Sequence, residues 1–296
     1  MFPGQGSQEV GMGGKILETA EMKSLLAKAE AITGRPIGDI MKNGPKELLD
    51  RTSNTQVAVL VVSLGAMAVY LKHRRGKEPD FVIGHSVGEV AAAVAAGSIS
   101  EDDAIAFINE RGLAMEAAGY ENPGGMSAIL GVSYESVELT AAQNGAHLAN
   151  YNIPDQQAVI SGTEDAVAGT EKQISEAGAK VIRLPVSIPA HSPLMQSATT
   201  RVKDAISGLH IKDTVVPMVS NASGQLIHKA NDLKDHLPNQ LTMPVRWSQG
   251  IDFLHGKGVT EFIEIGPKAV LSGMVRRHLR EKTDILVIKS EDVPDN

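Results

Sequence analysis

The chain has 296 residues, no cysteine, one Trp, four Tyr and five Phe, and 28 basic against 35 acidic residues, for a formal charge of −7. Without a thiol there is no disulfide framework, thiolate zinc site, iron–sulfur cluster or cysteine nucleophile, so covalent catalysis has to run through a hydroxyl, an amine or a carboxylate. The acidic balance and the scarcity of aromatic rings argue against nucleic-acid binding by phosphate neutralisation and base stacking.

A hydrophobic share of 42% and a charged share of 21% are those of a soluble globular protein. The length is near the size at which a single core stops growing, which favours one large domain with a smaller one inserted or appended. The longest apolar stretches, Val57–Val69 and Val90–Ala96, fall short of the roughly 20 residues of a membrane span. The N-terminus has no basic region followed by an apolar run, so no secretory signal is expected. A cytoplasmic protein without membrane contact fits these features.

In chain order, a glycine-rich loop with Gly4, Gly6, Gly11 and Gly13 precedes a helical pattern over Ile16–Thr33. Thr55–Arg74 is small and apolar nearly all round, which predicts a buried helix. Asp80–Gly84 reads as a short buried strand and Ser86–Ala96 as an alanine-rich helix ended by Gly97. Ser100 followed by Glu101, Asp102 and Asp103 is a helix start, predicting a helix to about Ala118. The middle third then alternates: strand Gly125–Val132, helix Ser133–Asn144, strands His147–Asn152 and Gln157–Gly162, helix Glu164–Ala177 and strand Lys180–Pro185. This β-α-β-β-α-β order is ferredoxin-like, and it reads as an insertion because an α/β style resumes after it. The resumed part predicts helices at Met195–Leu209, Leu233–Leu241, Ser248–Lys257 and Ala269–Arg280, with strands at Thr214–Ser220, Thr260–Ile265 and Asp284–Lys289 before an acidic tail.

Gly84-His85-Ser86-Val87-Gly88 matches G-x-S-x-G and lies between a predicted strand and a predicted helix, the context the motif requires. The pentapeptide alone recurs by chance, and an ordinary capping serine would look the same; the strand–turn–helix setting favours a nucleophile. The N–H of Val87, next after the serine, would point at a developing oxyanion. A serine hydroxyl needs a base. Of the nine histidines, His73, His228, His236, His255 and His278 lie in polar surroundings that read as surface. His191 lies in a loop leaving a strand and entering a helix, and His85, beside Ser86, is the rival base, although neighbours on a tight elbow point apart.

Five motifs occur in order: Phe2-Pro3-Gly4-Gln5-Gly6-Ser7-Gln8, Gly84-His85-Ser86-Val87-Gly88-Glu89, Arg111-Gly112, Pro189-Ala190-His191-Ser192 and Glu264-Ile265-Gly266-Pro267. Together they resemble the malonyl-CoA:acyl-carrier-protein transacylases and the acyltransferase domains of polyketide synthases, over essentially the whole chain. The resemblance implies an α/β-hydrolase-like core, residues 1–118 and 187–296, with a ferredoxin-like subdomain at 119–186. It implies Ser86 as nucleophile, His191 as base, and the N–H groups of Gln5 and Val87 as the oxyanion hole. It makes Arg111 the grip on a malonyl carboxylate, which suits a planar guanidinium fork, and the backbone carbonyl of Gln240 the group that orients His191. Gln56, His85, Met115, Asn150, Asn152 and Ala190 would line the substrate pocket, with the two asparagines near its CoA end. No metal and no cofactor are implied, since the CoA thioester is a substrate.

The partners implied are malonyl-CoA and an acyl carrier protein, with a monomeric enzyme. Carrier proteins are acidic, so a local basic patch is expected, with Arg74–Lys77, Arg276–Arg280 and Lys282 as candidates. Two departures stand out. Relatives carry a short strand just before the Phe2-Pro3 motif, so a late start or a missing first strand is expected. Ala190 stands where many relatives have phenylalanine or serine, a position that tunes malonyl against methylmalonyl. A hydrolase of the same architecture, a malonyltransferase subunit of malonate decarboxylase, a polyketide-pathway acyltransferase and a silent docking module remain alternatives.

Overall fold

The computed structural model describes residues 1–73, 78–280 and 286–289. A short 3-10 turn at Gly14–Glu18 leads into α1 (Ala20–Thr33), so the predicted Ile16–Thr33 helix is broken at Thr19, whose hydroxyl caps α1 by accepting from the Met22 N–H at 3.2 Å. Two short helices that the sequence pattern did not reveal, α2 (Ile37–Asn43) and α3 (Lys46–Leu49), precede α4 (Thr52–His73). The 21 residues Thr52–Lys72 are, against the expectation from the apolar runs, long and apolar enough to cross a membrane, yet most of them are buried within the fold. A helix apolar all round is the core helix of a soluble domain when other elements surround it, as α1 and α6 do here.

After β1 (Val82–Ile83) come α5 (Gly88–Ala95) and α6 (Glu101–Glu121). Ser100 caps α6 by accepting from the Asp103 N–H at 3.1 Å, and three acids fill the first turn, where the helix dipole favours them. The middle third forms β2 (Gly124–Leu130), α7 (Tyr134–Gln143), β3 (His147–Ile153), β4 (Gln157–Thr163), α8 (Glu164–Glu176) and β5 (Lys180–Arg183). Its four strands pair antiparallel in the order β3-β4-β2-β5. Alternation decides which face each residue serves: Ile129, Ala158 and Ile160 pack with Val137, Val167 and Ile174 of α7 and α8, whereas Ala128 and Val159 join the main core.

The rest comprises α9 (Gln196–Ser207), β6 (Met218–Val219), β7 (Leu226–Ile227), α10 (Ala230–Asn239), α11 (Trp247–Gly256), β8 (Glu261–Glu264), α12 (Leu271–His278) and β9 (Leu286–Lys289). Only Met218 and Val219 of the predicted strand Thr214–Ser220 pair with neighbours, parallel to β1 and antiparallel to β7. The chain start joins β1 to β8. Phe2 donates its N–H to the Ile83 carbonyl at 3.0 Å, and the Ile265 N–H donates to the Met1 carbonyl at 2.9 Å. Glu264, buried at the end of β8, accepts from the N–H groups of Val270, Leu271 and Ser272 at 2.7–2.9 Å and so caps α12. The Glu264–Pro267 motif is therefore a structural joint. The predicted basic candidates Arg74–Lys77 and Lys282 lie outside the described residues.

Candidate active site

Ser86 sits at the turn from β1 into α5 with φ +51°, a left-handed conformation that costs a non-glycine residue energy and is kept where the surroundings over-determine it. The flanking glycines explain how the turn closes: a Cβ on Gly84 would come within 2.1 Å of the Gly88 backbone, and one on Gly88 within 2.1 Å of the Phe2 carbonyl. The turn is held from outside by Asn221, just past β6. Its Oδ1 accepts from the Ser86 N–H at 2.7 Å and its Nδ2 donates to the Gly84 carbonyl at 2.6 Å. Sequence reasoning missed Asn221. The signal was there in principle, because a polar turn following a strand parallel to β1 must lie beside the elbow.

His191, also at positive φ (+59°), brings Nε2 to 2.8 Å from Ser86 Oγ. Its Nδ1 lies 3.0 Å from the carbonyls of both Gln240 and Met243. Carbonyls only accept, so Nδ1 carries the proton and Nε2 presents its lone pair to the serine hydroxyl. Burial, then the nearby Arg111 cation and His85, push the imidazole pKa down to about 3, the two carbonyl bonds opposing weakly. The ring is thus neutral, and able to accept a proton, throughout the neutral range. His85 turns away, with Nε2 at 3.0 Å from Asn152 Oδ1 and its ring 5.7 Å from that of Trp247. An irregular register in β3 aims Asn152 there. The His85 ring is thus held by Asn152 and Trp247, while His191 is the histidine bonded to the serine hydroxyl.

Arg111 is 1% exposed. It reaches the site because α4 and α6 touch at Gly112, where a Cβ would lie 2.8 Å from Ser53 Cα. Its Nη1 donates to Gln56 Oε1 at 2.6 Å, and Nη2 to Gln240 Oε1 at 2.7 Å and to Ser86 Oγ at 3.4 Å; Nε is buried without a partner among the described residues. Gln56 is fixed in turn by its Nε2 contact to Met115 Sδ at 3.0 Å. Burial lowers the guanidinium pKa to about 10, opposed by Glu89, which leaves Arg111 charged at neutral pH.

Gln240 joins the two halves. Its carbonyl orients His191, its Oε1 accepts from Arg111, and its Nε2 donates to the Ser86 carbonyl at 3.1 Å and to Glu89 Oε2. Glu89 Oε1 also accepts from the Asn221 N–H and from His236 Nε2, both at 2.8 Å. His236, read from sequence as a surface residue, has a side chain only 8% exposed and forms an ion pair with the fully buried Glu89. Its polar neighbours Asp235 and Asn239 masked an inward-facing turn of α10. His255 and His278 are likewise half-buried, the latter 2.9 Å from Asp252, whereas His228 is exposed as predicted.

Around this centre, Val87 and Gln5 present backbone N–H groups to which none of the described residues supplies an acceptor. The Gln5 side chain reaches Thr52 Oγ1 at 3.5 Å. Ala190 is buried beside His191, and Asn150, on β3, keeps a buried Oδ1 without a partner among the described residues. A separate cavity of about 610 Å³ beside Met1, lined by Tyr70, Phe81, Val94 and Phe262 among others, contains none of these groups.

An α/β fold with a serine on a left-handed strand-to-helix turn, facing a carbonyl-oriented histidine and a buried arginine, is the architecture of an enzyme that handles acyl groups. The comparisons narrow that class: residues 1–292 match the family described as the acyl transferase domain, and the chain belongs to that family. It is 39% identical to the malonyl CoA-acyl carrier protein transacylase of Bacillus subtilis (strain 168) over 99% of this chain and 94% of that relative. The solved malonyl CoA-acyl carrier protein transacylase of Coxiella burnetii superposes with a TM-score of 0.93 at 32% identity, covering 99% of this chain and 94% of the other. A malonyl-transacylase solved in complex with a type II polyketide synthase acyl-carrier protein gives 0.90 at 32% identity, over 97% of this chain and 93% of the other.

Proposed function

We propose that this chain moves a malonyl group from malonyl-CoA to the phosphopantetheine thiol of an acyl carrier protein. The observation that carries the reading is the 2.8 Å Ser86–His191 pair with the Arg111 fork at its side. His191 takes the Ser86 proton, Oγ attacks the thioester carbon, the oxyanion rests on the Gln5 and Val87 N–H groups, and the C–S bond breaks as the proton passes to the departing CoA sulfur. The carrier thiol then gives its proton to His191 and attacks malonyl-Ser86, restoring the serine hydroxyl. Each step is a substitution at an acyl carbon without change in oxidation state, so no cofactor is invoked. Arg111 binds the free carboxylate, Gln56 and Met115 hold it in place, and His85, Asn150, Asn152 and Ala190 shape the channel.

Residues 1–118 and 187–296 act as the catalytic core and 119–186 as a small subdomain closing the cleft. The enzyme works as a cytoplasmic monomer without nucleic-acid or membrane partners. The exposed Arg276, Arg277 and Arg280 at the end of α12 are candidates to meet the acidic carrier. Intact-mass measurement after incubation with malonyl-CoA tests the first step: one malonyl adduct is expected on the wild type and none on Ser86→Ala, and stoichiometric labelling of that variant would refute it. Faster thioester loss to water than to a carrier protein would instead favour a hydrolase, and an acceptor panel separates fatty-acid, polyketide and decarboxylase carriers.

A further inference from the structure

A buried arginine attracts an anion more strongly when the pocket around it keeps a net positive charge. Glu89 lies behind Arg111 with Gln240 between them, close enough to act on the guanidinium. The interposed amide takes a single hydrogen bond from Nη2 and leaves Nε without a partner among the described residues, whereas a direct bidentate contact with Glu89 would occupy two donors. Arg111 and Glu89 alone would nevertheless sum to zero charge at the place where a carboxylate has to bind. The remaining charged group in the network is His236, whose Nε2 is 2.8 Å from Glu89 Oε1.

We propose that His236, through its ion pair with Glu89, sets the net charge of the pocket that receives the substrate carboxylate, and so determines the preference for a malonyl over an uncharged acyl group. This rests on the carboxylate role given to Arg111 above. Protonated His236 makes the trio Arg111, Glu89 and His236 net positive; neutral His236 makes it neutral. His236 is a positioning residue, because it acts through Glu89 and Gln240 and touches no reacting atom.

The state of His236 is governed locally. Burial lowers its pKa, but the charge of Glu89 and the hydrogen bond to it outweigh burial, and the net shift is upward from 6.5. Of the other charged groups on elements packed against α10, Arg201, Lys203 and Asp204 lie on α9, and Asp232, Lys234 and Asp235 on its own helix; Glu89 is the one that acts on it. Ser220 Oγ on the β6 side is a neutral neighbour at 3.4 Å. The group is therefore protonated below its raised pKa and loses its charge as pH rises through it.

The test is the ratio of single-turnover Ser86 acylation rates with malonyl-CoA and acetyl-CoA as a function of pH; steps common to both substrates cancel. In the wild type the ratio should fall about tenfold as pH rises through the His236 transition, the order expected for one elementary charge at an effective dielectric constant of about 20. His236→Gln should give a low ratio that no longer varies with pH. The double variant Glu89→Gln/His236→Gln leaves Arg111 as the only charge and should recover the higher ratio. A purely structural role would slow both substrates together and leave the pH profile of the ratio unmoved. A folded His236→Gln enzyme with the wild-type ratio and pH profile would overturn the proposal, as would a flat ratio in the wild type, which needs no variant. Arg111→Ala separates the two levels. If it keeps the malonyl preference, the carboxylate reading itself fails; if it loses the preference while His236→Gln keeps it, only the role of His236 fails.

Discussion

On one side of the site His191 meets the Ser86 hydroxyl and two backbone carbonyls, so every hydrogen-bond partner of the imidazole is neutral. On the other side Arg111, Glu89 and His236 form a chain of charges joined by the Gln240 amide. Neutral partners fix the tautomer and orientation of an imidazole without stabilising its protonated form as a buried carboxylate would. Burial, then the adjacent Arg111 and His85, therefore lower the His191 pKa to about 3, and the two carbonyl bonds oppose that fall without reversing it. The charged side is organised for a different task, holding a desolvated cation in place while leaving donors for a ligand. In the proposed mechanism one half prepares a base, the other selects an anion, and Gln240 couples them.

The largest effects are expected on the nucleophile side. Ser86→Ala should abolish the acyl-enzyme altogether, read by intact mass. His191→Ala should slow acylation by about 100- to 10,000-fold, the range of a general base, in rapid-quench assays. Because the imidazole of the free enzyme is neutral down to about pH 3, wild-type acylation with acetyl-CoA should show no acid limb near 6.5, the value of an unperturbed histidine. In Arg111→Ala that limb should move up, since removing a nearby cation and opening the site both favour imidazolium; a limb that stays put would detach the two halves. Asn221→Ala should have a smaller effect. It strips the outer clamp from the Ser86 turn and leaves buried backbone groups unpaired, a loss of about 1–3 kcal/mol measurable by denaturant unfolding.

Much of the nucleophile half is local in sequence. A strand, two glycines flanking a serine and a small-residue helix follow one another between Val82 and Ala95, so the elbow was legible from the motif in its strand–turn–helix setting. The cap at Ser100 was legible for the same reason, because its hydrogen bond spans three residues. The charged half is assembled from residues far apart in the chain, at positions 56, 89, 111, 221, 236 and 240, and no local pattern reports it. Arg111 was found only through the family resemblance. His236 was misread because its flanking residues are polar while its own face of α10 turns inward. The short helices α2 and α3 escaped because seven and four residues cannot display a helical period.

In the proposed mechanism, acyl transfer to Ser86 and selection of the malonyl carboxylate are carried by different residues. Single-turnover acylation of Arg111→Ala with malonyl-CoA and acetyl-CoA tests it most directly. The account predicts an acyl-enzyme with both substrates and a malonyl rate reduced far more than the acetyl rate. Equal losses with the two substrates would contradict it.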